Sequence, residues 1–128
     1  MKDRRDRLKK LVHVQEQLKA VHEMNRAGHL FRARQAEEEA RDIAARFDQA
    51  DSLSDLFPEL YHRRVGQATA RQRESDGMAR DEAGRIAMAT ARTNMVERAY
   101  REAARLVERD DEDKERLEIV GRSLRKGS

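Results

Sequence analysis

Cysteine is absent from the 128 residues. That removes disulfides and thiolate metal sites, and it fits a reducing compartment. Aromatic residues make up only 4% of the chain, with no tryptophan, so they supply neither a thick core nor a platform on which bases could stack. Proline occurs once, at Pro58. There is no glycine-rich phosphate loop and no Gly-x-Ser-x-Gly elbow, so the common phosphate-binding and nucleophile motifs are missing. The charged opening, residues 1–10, is followed by no continuous apolar run; it reads as neither a secretory signal nor a membrane span. The expected location is cytoplasmic.

Charge of one sign is lacking too. The 28 basic and 25 acidic residues leave a net +3 and are interleaved almost everywhere. A phosphate-tracking surface needs a basic stripe free of carboxylates, so no nucleic-acid partner is expected. No long stretch joins a strong apolar face to a basic one, which argues against a helix lying on a membrane.

What remains is charge and period. Charged residues are 41% of the chain and hydrophobic ones 38%, with a mean hydropathy of −1.03. Balanced charge with abundant Ala, Arg, Glu and Leu is the composition of long helices. From Val65 to Leu124 a heptad seam runs without a phase slip. Its first positions are Val65, Gln72, Ala79, Ile86, Thr93, Tyr100, Val107, Lys114 and Gly121. Its second positions are Ala68, Ser75, Glu82, Ala89, Val96, Ala103, Asp110, Leu117 and Leu124. A seven-residue repeat keeps one stripe against a partner helix. The polar members Gln72, Ser75, Glu82 and Thr93 are expected to leave the middle of that seam weakly packed.

A first helix is expected over about 3–51. Leu11, Val14, Leu18 and Val21 set its stripe; Ala36, Ala40, Ile43, Phe47 and Ala50 continue it in a shifted frame, a mild stutter near Asn25, Gly28 and His29. Ser52, Ser54 and Asp55 are capping types, and proline suits a first helical turn. The turn is therefore expected at about 52–57, with a second helix over about 58–120 and a frayed tail over 121–128. Two long helices joined by a short turn make an antiparallel hairpin. The basic start (Lys2, Arg4, Arg5, Arg7, Lys9, Lys10) would then lie beside the acidic run from Glu108 to Glu118. The fold class is all-α, a single coiled-coil hairpin.

Chemistry-bearing patterns are sparse. His22 and His29 lie seven apart, whereas metal ligands on a helix sit three or four apart; no metal site or cofactor is expected. Glu37, Glu38 and Glu39 point in three directions on a helix, as a solvated surface does. The chain reads as a non-enzyme. Partner binding has two candidate surfaces. Met88, Ala91, Met95, Ala99 and Leu106 form a second stripe beside the main seam, and methionine suits adaptable contacts. At the turn, Leu53, Leu56, Phe57, Leu60 and Tyr61 cluster. Leu56 and Leu60 are expected to plug the hairpin end, leaving Phe57 and Tyr61 for contact. A third helix of the same fold or a second copy of the chain would equally cover the methionine stripe.

Two segments resemble the flagellar export stalk proteins of type III secretion, the FliJ-type family. They are Arg-Leu-Lys-Lys-Leu-Val-His-Val-Gln-Glu-Gln-Leu-Lys at 7–19, and Val-Glu-Arg-Ala-Tyr-Arg-Glu-Ala-Ala-Arg-Leu-Val-Glu-Arg at 96–109 before an acidic stretch. The resemblance implies a coiled-coil component of the export apparatus, a stalk or chaperone escort at the export ATPase. It implies contacts with the ATPase, the export gate and substrate chaperones, and a peripheral place at the inner-membrane apparatus. By position, the paired termini (Arg4, Arg5, Arg7, Leu8 and Leu11, with Val107, Leu117 and Val120) would face the ATPase. The alternative is a generic scaffold or dimerisation adaptor unrelated to secretion.

Overall fold

The computed structural model describes residues 1–49 and 56–127. These form two α-helices, α1 (Lys2–Phe47) and α2 (Pro58–Lys126), packed as an all-α hairpin. No helix among the described residues is long and apolar enough to cross a membrane.

The helix ends have local causes. α1 stops at Phe47, earlier than expected, where the Gln49 amide reaches back only to the Arg46 carbonyl at 3.2 Å. Such a tightened bond closes a last helical turn. Most of the expected turn, with Ala50 and Leu53, lies outside the described residues. α2 begins at Pro58 as expected: the Tyr61 amide bonds the Phe57 carbonyl at 3.5 Å, and proline sits where no intrahelical donor is needed. Residue 121, where the tail was expected to begin, lies inside α2. The helix continues to Lys126, where Arg125 donates from Nε to the Gly121 carbonyl at 3.2 Å. Two basic residues in the last turn also complement the helix dipole.

Packing divides the chain into two units, each made of part of both helices. In the unit of residues 19–87, the buried residues are Ala33, Ala36 and Ile43 from α1 and Ala68, Ala79 and Glu82 from α2. Phe47 closes it, edge-on to Tyr61 with ring centroids 5.9 Å apart and 5.3 Å from His62. In the unit of residues 1–18 and 88–128, Ala89, Thr93, Ala103 and Val107 are buried. Arg5, Leu8, Val12 and Gln15 of α1 are half-buried there. All seven buried residues of α2 are seam positions read from its heptad. Six of the eight buried apolar residues among those described are alanines, so the helices meet over small side chains.

The α1 frame differs from the expected one. Leu11, Val14, Leu18 and Val21 are exposed. Apart from half-buried Gly28 and Glu37, the covered positions are Arg5, Leu8, Val12, Gln15, Lys19, His22, His29, Ala33, Ala36, Ala40, Ile43 and Phe47. These lie on a single seven-residue frame with no stutter, broken only at exposed Arg26. The reason lies in α2: a strand of the coil with no phase slip holds its partner in one frame as well. Leu11 and its fellows are one position off the seam.

Candidate functional site

Of the seam's polar positions Glu82 and Thr93 are closed, whereas Gln72 and Ser75 are half-buried. Glu82 is 6% exposed and Thr93 7%. The Thr93 hydroxyl donates to the Ala89 carbonyl at 2.8 Å. Glu82 accepts a hydrogen bond from His22 Nδ1 across the seam at 2.7 Å, and a second from Arg85 on its own helix at 2.7 Å. Burial opposes ionisation of this carboxyl, but the hydrogen bonds from His22 and Arg85 and the Arg85 charge outweigh it, holding Glu82 below its ordinary range. No buried side-chain polar atom among the described residues lacks a partner. His29 Nδ1 accepts a hydrogen bond from Arg32 at 2.7 Å. Among the described residues no cluster of three potential metal ligands exists.

The displaced α1 stripe makes the surface of interest. In the unit of residues 1–18 and 88–128, Leu11, Val14 and Leu18 are between 41% and 47% exposed, while on α2 Met88, Met95 and Leu106 reach 57%, 70% and 41%. In heptad terms every one of them flanks its helix's seam on the same side. The flanks of antiparallel helices meet like with like, so both stripes border one edge of the hairpin. A shallow groove opens on that edge, lined by Met1, by Arg4 of α1, and by Ala99, Glu102, Ala103 and Leu106 of α2. Arg4 stands one heptad before Leu11. The result is a two-helix apolar face whose α2 half was legible as a methionine stripe. Its α1 half was missed because those residues were assigned to the seam.

The other expected partner residues fall in three places. Val107 is 3% exposed and belongs to the seam, and half-buried Arg5 and Leu8 also line it, so none of the three forms an outer surface. Arg4 and Arg7 are exposed. The basic start does meet the acidic run of α2, through Lys2 and Asp111 at 3.9 Å; a pair this exposed contributes little beyond orientation. Leu117 and Val120 lie on a part of α2 that no α1 residue covers. At the turn the expectation is reversed in part. Tyr61 packs on Phe47, whereas Leu56 is 71% exposed and Phe57 and Leu60 are also open. Ile43, Arg46, Phe57, Leu60, Tyr61 and Arg64 line a groove there.

The fold and its surfaces define a helical-hairpin protein whose exposed features are apolar helix faces. No protein-family model matches the chain, and neither a curated protein nor a solved structure matches it significantly.

Proposed function

We propose that this chain is a non-enzymatic coiled-coil component of the flagellar type III export apparatus, acting as a stalk or chaperone escort at the export ATPase. The observation that carries the reading is the apolar face of Leu11, Val14 and Leu18 with Met88, Met95, Ala99 and Leu106. Exposed apolar side chains grouped on one edge, rather than scattered singly, mark an interaction site. One hairpin cannot cover its own outer edge, so this face needs a partner helix or groove. The two segments that resemble the export stalk family, 7–19 and 96–109, both contribute to it. Members of that family contact the ATPase, the export gate and substrate chaperones, and those are the partners proposed.

The test is a titration of the purified full chain against the export ATPase of the same organism. Saturable binding is expected, with loss in Leu11→Lys/Met95→Lys at unchanged helical circular dichroism. Absence of binding by the folded wild type would overturn the export reading and leave a coiled-coil adaptor of another pathway.

A further inference from the structure

The two-helix apolar face is bordered by charge of one sign. At its flanking and outermost heptad positions α1 places Arg4, Arg7 and Lys10. The same positions of α2 hold Arg92, Arg98, Arg105 and Arg109. All seven side chains are exposed, and none forms an ion pair among the described residues. Over residues 1–18 and 88–111 the carboxylates on this side are Asp3 and Glu102, with Glu112 and Asp113 following directly after.

The opposite edge of the same unit reverses the balance. There Asp6, Glu16, Glu97, Glu108 and Asp111 stand against Lys2, Lys9 and Arg101. Three of those carboxylates are already held within the hairpin: Asp111 by Lys2, Asp6 by Arg5 of the seam, and Glu97 by Arg101. The hairpin thus satisfies its carboxylates on one edge and leaves its cations without partners on the other.

Shape narrows the occupant further. Between the helices the face is concave, with small Ala99 and buried Ala103 in the groove that Arg4, Glu102 and Leu106 border. No aromatic side chain stands on it, Tyr100 being a seam position, whereas surfaces that enter a lipid interface carry such anchors. A concave apolar groove takes a helix laid lengthwise, and methionines adapt to its side chains. From Met88 to Leu106 the face runs roughly 27 Å, about five helical turns.

We infer that this face receives an amphipathic helix of a partner protein, one that carries Asp or Glu on both sides of its apolar stripe. The inference rests on the docking face of the proposed function and names its partner's chemistry; it does not depend on export.

Two labelled synthetic peptides, each about five helical turns long, test it by fluorescence anisotropy against the full chain. Both carry leucine at the seam positions of a heptad; one has Glu and the other Lys at the flanking positions. Saturable binding of the Glu peptide is expected, about tenfold or more tighter than that of the Lys peptide, the equivalent of a few exposed ion pairs. Arg92→Glu/Arg105→Glu is expected to erase the preference at an unchanged melting curve, and Leu11→Lys/Met95→Lys to release both peptides. Equal binding of the two peptides, or binding of neither, would overturn the inference. So would polyglutamate binding as tightly as the Glu peptide, which would reduce the face to a charge patch. Tighter binding to vesicles of phosphatidylcholine and phosphatidylserine would also overturn it and assign the face to a lipid surface. Binding of the export ATPase without a preference for the Glu peptide would sink this inference alone; the preference without ATPase binding would sink only the export reading.

Discussion

Ala68 is fully buried, at 0% exposure, in a seam whose buried apolar residues are mostly alanine. Replacing it with leucine adds three carbons where two helix backbones approach over a methyl group. Overpacking of this kind forces off-rotamer side chains or backbone shifts and typically costs about 1–3 kcal/mol. For a chain of this size 1 kcal/mol moves the midpoint by roughly 3–5 °C, so Ala68→Leu is expected to melt about 3–15 °C lower. The control is Ala70→Leu, two residues on and exposed. Alanine and leucine differ little in helix propensity, so this change is expected to stay within about 0.5 kcal/mol of wild type. Thermal unfolding followed by circular dichroism at 222 nm, the helical minimum, reads both. An Ala68→Leu protein that melts at or above the wild-type temperature would refute the close alanine seam, since it would mean the helices stand far enough apart to welcome a large side chain.

Glu82 gives a pH dependence. Its carboxyl is held below its ordinary value of 4.5 in the folded chain, so the unfolded chain binds protons more readily and acid favours unfolding. The stability it contributes is present above about 4.5 and is lost as pH falls through the lower folded value; Glu82→Gln is expected to flatten that part of a Tm-against-pH plot, and an unchanged slope would contradict the assignment. A β-carbon at Gly66, Gly77 or Gly84 would meet nothing within 4 Å, and none of the three has a positive φ. Each Gly→Ala change is therefore expected to stabilise the protein by about 1 kcal/mol in urea titrations, through helix propensity alone. Val107→Ala is expected to cost about 1–3 kcal/mol because it deletes buried methyls, whereas Val14→Ala, on the open face, is expected to cost little. A double-mutant cycle on Phe47 and Tyr61 is expected to give a coupling of about 0.5–1.5 kcal/mol for their edge-on contact; additive single changes would show that the rings do not stabilise the hairpin end.

The hairpin was readable because α2 carries its period openly. Between Val65 and Val107 most seam positions are apolar and every charged residue except Glu82 lies off the seam, so the stripe could be counted, and every buried α2 residue falls on it. The α1 stripe was harder to read. Its true seam begins with Arg5, Leu8, Val12, Gln15, Lys19 and His22, a largely polar series, while the more apolar series Leu11, Val14, Leu18 and Val21 runs one position away. Hydrophobicity alone chooses the wrong face there. The signal that could have chosen correctly was indirect: counting sevens back from Ala33, Ala36, Ala40, Ile43 and Phe47 leads to Arg5 and Leu8 without a break. The partnership of His22 with Glu82 was not legible, because the register that brings them together follows only after both frames are fixed. At the turn, exposure of Leu56 with packing of half-buried Tyr61 on Phe47 depends on the path of the chain there, which composition does not encode.

The face assigned to docking exists only if α1 buries the polar series and exposes the apolar one. Because the chain has no cysteine, single cysteines placed at each position from Leu8 to His22 can report this through their alkylation rates under native conditions. The slowest rates are expected at positions 8, 12, 15, 19 and 22, with fast reaction at 11, 14, 18 and 21. Slow reaction at 11, 14, 18 and 21 would put those residues in the seam, remove the two-helix apolar face, and contradict the proposed mode of partner binding.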